Sequence, residues 1–129
     1  MTAADPLGIF GDSSALHDIL DMAGPDTAFR ILHQIHIDLS ATAALIAPAI
    51  AQADCATIRA QTHVLISLAG TIGATRLHAQ AVDLNAAAHA EDKVAIATLG
   101  SPLIADLAAL IALIAARPLP AQAPTQMPD

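Results

Sequence analysis

Apolar residues recur at alternating steps of three and four along four segments of this chain, and no other feature constrains its fold as tightly. That spacing puts side chains on one side of an α-helix, whereas a half-buried strand needs a step of two. Between Asp26 and Ala53 the seam reads Phe29, Leu32, His36, Leu39, Ala43, Ile46 and Ile50, with His36 inside it. From Asp54 to Ile72 the inward stripe is Ile58, Gln61 or Thr62, Leu65, Leu68 or Ala69, and Ile72. The next segment, to about Ala90, turns Leu77, Ala81, Leu84 and Ala88 inward. In the last, Leu103, Leu107, Leu110 and Ile114 form the seam, with Ile104 and Ile111 beside it.

Stop and start signals divide these segments. Asp12-Ser13-Ser14 can cap a short helix through about Met22, and Gly24-Pro25-Asp26 offers a break and a new start. Pro48 removes a backbone donor and is expected to kink or end its helix. Asp54 is a cap, Gly73 a turn, and Glu91-Asp92-Lys93 a polar junction. Gly100-Ser101-Pro102 is expected to begin the last helix, because proline suits the first helical position, and Arg117 suits its negative end. Residues 1–11, with Pro6, Gly8 and Gly11, read as a flexible lead-in, 12–117 as the helical domain, and 118–129 as a proline-rich disordered tail. The expected fold is all-α: an up-down four-helix bundle with a short additional N-terminal helix capping one end.

Composition narrows the function. The chain has 129 residues, enough for one domain, and its apolar excess is mostly alanine. Its net charge is −7, and Arg30, Arg59, Arg76, Lys93 and Arg117 are scattered, so the basic footprint that nucleic acid requires is missing. The acidity also repels anionic membranes. The most apolar stretch, Leu103–Ala116, reads as too short to span a bilayer and contains Asp106. No secretory leader is visible in Met1–Phe10. Cys55, the single cysteine, cannot form an internal disulfide and reads as a small apolar residue at a helix start. A soluble cytoplasmic protein is expected.

Helical phase singles out one of the six histidines. With Leu65 at the centre of its inward stripe, His63 lies about 160° away, nearly opposite the core. Its neighbours on that outer face, Ala60, Ser67 and Gly70, are small, and Val64 and Ile66 flank it with apolar surface. Glycine inside a helix costs roughly 1 kcal/mol relative to alanine, so Gly70 implies a close approach, such as another backbone.

The run from His63 to Ala74, His-Val-Leu-Ile-Ser-Leu-Ala-Gly-Thr-Ile-Gly-Ala, resembles the signature of histidine-containing phosphotransfer (HPt) domains, roughly His-x-Leu-Lys-Gly-Ser-Ala-x-x-Leu-Gly-Ala. His63, Leu65, Ala69, Gly73 and Ala74 match directly, Ile72 matches conservatively, and Leu77 and Leu84 continue the pattern. The resemblance covers about residues 13 to 117. It implies that His63 accepts a phosphoryl group, and that partners are a response-regulator receiver domain and a histidine kinase or hybrid kinase. Magnesium would come from the receiver, and the chain itself would need no cofactor and have no ATP-dependent kinase activity. In the family a Gln or Glu, 22 positions after the histidine, often hydrogen-bonds the ring; Asn85 holds that position here as the ring-orienting candidate. Two residues depart from the pattern: Ile66 replaces the family lysine and Ser67 its glycine. Ala60, Val64, Ile66, Ser67 and Gly70 form the expected docking surface.

Two rival readings remain. The same face can serve a non-phosphorylated interaction module. A metal-binding bundle would draw on His33 and His36, three apart, with His63, His78 and His89, but the Glu-x-x-His motifs of paired-helix metal sites are absent, Glu91 being the sole glutamate. His33 reads instead as a residue at the edge of the seam, His36 as a hydrogen-bonded residue near the core, His17 and His89 as solvent-facing, and His78 as a surface residue or a second polar neighbour of His63.

Overall fold

The computed structural model describes Phe10 and residues 13–116. Five helices pack together: α1 (Ala15–Ala23), α2 (Pro25–Gln52), α3 (Cys55–Ile72), α4 (Thr75–His89) and α5 (Lys93–Ala116). α2 packs on α3, α3 on α4, α4 on α5, and α5 back on α2, while α1 lies against α2 and α3. No strand occurs among the described residues. Of the expected lead-in, 1–11, only Phe10 is described, and it is buried in the core; its other residues, Asp12, Arg117 and the expected tail 118–129 fall outside the described residues.

The connections follow from residue chemistry. Pro25 occupies the first turn of α2, behind Gly24 at φ +83°. Asp54 caps α3, its carboxylate accepting from Thr57 N at 3.3 Å and Thr57 Oγ1 at 2.7 Å. The Thr57 hydroxyl, and then its N–H, hold the Asp54 carboxyl below the ordinary carboxylate range. Gly73 ends α3 in the left-handed region at φ +78°, where its N–H and that of Ala74 reach back to the carbonyls of Gly70 and Ala69. A Cβ at Gly73 would run into the Ser13 side chain, so α1 is drawn over this end of the molecule.

Three expectations are corrected. First, α5 begins at Lys93 and runs unbroken through Gly100 and Pro102. Asp92 caps it by accepting from Ala95 N at 3.1 Å. Gly100 marks a helix crossing, since a Cβ there would lie 2.5 Å from Ile50 Cγ2 on α2. Second, Pro48 does not end α2, which continues to Gln52. Pro48 and Ala44, whose carbonyl loses its partner, are both exposed, so water can take the missing bond. Pro102 and Thr98 have the same relation in α5.

Third, the buried stripe of α2 is Ala28, Leu32, Ile35, Leu39, Thr42, Ile46 and Ala49. It shares Leu32, Leu39 and Ile46 with the expected seam but is rotated about one residue from it. Phe29 is 48% exposed and stacks on His33, with ring centroids 6.2 Å apart and planes 5° from parallel. His36 is half-buried at the margin. The small residues Ala28, Thr42 and Ala49 let the neighbouring helices approach, which the larger Phe29 would prevent.

The stripes of α3 (Ile58, Thr62, Leu65, Ala69, Ile72), α4 (Leu77, Ala81, Leu84, Ala88) and α5 (Leu103, Leu107, Leu110, Ile114) lie inward as expected. α2 and α5 are long and apolar enough to cross a membrane by length and composition, so the expected shortness of the last apolar segment does not hold. Beyond its first turn, where Val94 is 77% exposed, α5 keeps its large aliphatic side chains inward or at the flanks, while Ala97, Thr98, Ser101, Ala105, Ala108 and Ala112 face outward. Asp106 is paired with Arg76 of α4 at 2.8 Å.

Gln80 of α4 has its Oε1 enclosed without a hydrogen-bond partner among the described residues. An enclosed unpaired acceptor carries its desolvation cost without compensation. Gln80→Leu should therefore raise stability by about 1 kcal/mol, read as a higher urea midpoint at unchanged slope. A fall in the midpoint would show that Gln80 has a partner in solution.

Candidate functional site

The α3–α4 pair holds the histidine that helical phase selected. Leu65, Thr62, Ile58 and Ala69 are fully buried and fix the rotation of α3. That rotation turns His63 to solvent. Ala60, Ser67 and Gly70 are exposed on the same side, and Val64 is 42% exposed. Ile66 is half-buried and packs against the core, so its place differs from that of an outward lysine.

Two contacts set the register of α4 on α3. The Thr62 hydroxyl donates to Asn85 Oδ1 at 3.0 Å, and the Ile58 carbonyl, at 2.8 Å, is its alternative acceptor. Farther along, His78 lays its ring over Gly70, where a Cβ would stand 3.4 Å from His78 Cδ2. The close approach that Gly70 implied is therefore a half-buried imidazole rather than another backbone. The two pairs run in opposite directions along the helices, so α3 and α4 are antiparallel.

This register puts Asn85 level with His63. Its side-chain oxygen faces inward, to Thr62, and no hydrogen bond joins Asn85 to His63 among the described residues. One route to the ring is for Asn85 to exchange Thr62 for it. The Ile58 carbonyl lowers the cost of that exchange, because the buried Thr62 hydroxyl then keeps an acceptor. Thr62 was legible as an inward residue but not as the tether of Asn85, which becomes apparent only once the two helices are in register.

The remaining histidines are dispersed. His17 lies 3.5 Å from Asp21 on α1, His33 is stacked on Phe29, and His89 is exposed at the end of α4. No three His, Cys, Asp or Glu side chains converge in a metal-binding group among the described residues. Cys55 is half-buried at the first position of α3, with Sγ 3.7 Å from the Ala53 carbonyl.

What this arrangement offers is a nucleophilic ring on a rigid helix, open to a partner, with small side chains around it and a polar amide within one helix of it. Comparison of the chain with protein-family models, with curated proteins and with solved structures finds no match.

Proposed function

We propose that this chain is an up-down four-helix bundle with an appended N-terminal helix, and that it relays a phosphoryl group on His63 to or from the aspartates of receiver domains. The observation that carries the proposal is the position of His63: exposed on α3, at the head of the HPt-like run His63–Ala74, and level with Asn85 on the neighbouring helix. The closed order of packing, α2 on α3, α4, α5 and back to α2, supports the bundle topology. The outward Ala, Ser and Thr of α5 support a water-facing, cytoplasmic protein.

A neutral imidazole is a competent nucleophile. One ring nitrogen of His63 attacks phosphorus in line, and a P–N bond forms as the P–O bond to the receiver aspartate breaks. The aspartate leaves as carboxylate, and the ring keeps the N–H on its other nitrogen, its positive charge offset by the phosphoryl oxygens. Asn85, swung from Thr62 to the ring, would hold that N–H and fix the tautomer. Such transfer depends on positioning and charge neutralisation, and the receiver supplies magnesium. The partner-facing surface is Ala60, Val64, Ser67 and Gly70, bordered by Ile66.

Ile66 favours one second reading: a non-phosphorylated module that binds a receiver or kinase through the same face. Incubating the wild-type chain with phosphorylated receiver domains and magnesium separates the two. Acid-labile label is the expected result. Binding of a receiver without label would establish the interaction module in its place.

A further inference from the structure

The lysine that the phosphotransfer pattern places three residues after the histidine is Ile66, and Ile66 is committed to the core. A phosphoryl group on His63 would need its charge met from elsewhere in a chain of net charge −7. Most of the described cations are engaged or distant. Arg76 is bound to Asp106 on the α5 side, Arg30 lies 3.4 Å from Thr27 Oγ1 on α2, and Lys93 opens α5.

Arg59 is different. It sits four residues before His63 on α3, which puts the two about 40° apart around the helix and roughly 6 Å apart along it. Residues at that spacing are side-chain neighbours. Arg59 is half-buried, and its guanidinium makes no hydrogen bond or ion pair among the described residues. The nearest carboxylates by sequence and helix register are Asp54, which accepts from Thr57, Asp92, which caps α5, and Glu91; none forms an ion pair with Arg59 among the described residues. On α4 the one acidic residue, Asp83, is turned about 160° from Asn85, toward the far side of the helix. The guanidinium offers planar paired donors matched to phosphate oxygens.

We propose that Arg59 takes the place of the missing lysine and binds the phosphoryl group on His63 from the N-terminal side. The inference rests on His63 being the phosphoryl acceptor. The approach is from one turn before the histidine, where the family lysine approaches from one turn after it. The receiver must therefore leave the Arg59 side of the ring open and dock toward Ser67, whose side chain is small, with the His78 ring over Gly70 bordering that surface.

Phosphoramidate is the probe that isolates this chain's own residues. A His63 nitrogen forms a P–N bond to its phosphorus, the donor's own P–N bond breaks, and ammonia leaves with a proton. Uptake into the full chain would be followed with this donor and, separately, with a phosphorylated receiver. Arg59→Gln should slow both reactions about tenfold, in keeping with loss of one charge-stabilising donor at a partly solvated site, with the melting temperature unchanged. Arg59→Lys should keep most of the rate. Ile66→Lys added to Arg59→Gln should recover it, by restoring a cation from the other side. Wild-type rates in Arg59→Gln with both donors would overturn the proposal, as would slowing with the receiver alone, since Arg59 would then be a partner contact. Absence of label on wild-type His63 from either donor would instead remove the phosphotransfer reading, and this inference with it.

Discussion

In a His63→Gln chain, phosphoryl uptake from a phosphorylated receiver should fall to background, while the fold and receiver binding persist. Glutamine keeps a polar side chain on an exposed helical site, so the change is expected to cost roughly 0.5 kcal/mol or less. It removes the ring nitrogen that would attack phosphorus. The other described histidines are poorly placed to substitute. His17 is on α1 beside Asp21, His33 is stacked on Phe29, His36 is half-buried on α2, and His89 is at the end of α4. His78, lying on Gly70 at the edge of the same surface, is the residue to test if acid-labile label survives in His63→Gln. Asn85→Ala should slow uptake without abolishing it. Its loss removes the amide that can fix the ring tautomer, while Thr62 falls back on the Ile58 carbonyl.

The inward stripes of α3, α4 and α5 were legible in the sequence, whereas the rotation of α2 and the start of α5 were not. In α3 and α4 the inward positions carry the leucines and isoleucines, and Asp54 and Gly73 are unambiguous ends, so period and punctuation agree. In α2 the core-facing positions include Ala28, Thr42 and Ala49, while Phe29, Ile37 and Leu45 are exposed. A reading that follows the largest apolar residues is drawn one position off. Gly100 and Pro102 misled for a related reason. Both resemble a helix start, yet Gly100 serves the crossing with Ile50, and the backbone bond that Pro102 removes lies on the exposed side. Neither fact is local. The candidate site divides the same way. His63 and its small neighbours follow from phase on a single helix, whereas the Thr62–Asn85 bond and the His78–Gly70 contact depend on how two helices are aligned.

Leu65→Ala should lower the stability of the folded chain by about 2–5 kcal/mol, the range for a large buried aliphatic residue cut to alanine. Leu65 is wholly inaccessible to solvent, two residues from His63 on the opposite side of the same helix. Two terms add in that cost: the transfer energy of the deleted carbons, and the contacts left unmade around the space they occupied. Neighbours in the stripe, Ile58, Thr62, Ala69 and Ile72, cannot close the gap cheaply. Thr62 is held by its bond to Asn85, and Ala69 has no side chain beyond Cβ. Alanine's helix propensity returns almost nothing, because leucine is nearly as good a helix former. The comparison with His63→Ala is what makes the measurement diagnostic. On a solvent-facing position that change is expected to stay within roughly 0.5 kcal/mol. Urea unfolding of both variants at matched slope measures the two costs side by side. A small cost at Leu65 and a large one at His63 would mean that α3 is turned the other way in solution, and the exposed imidazole on which the functional reading stands would be lost with it.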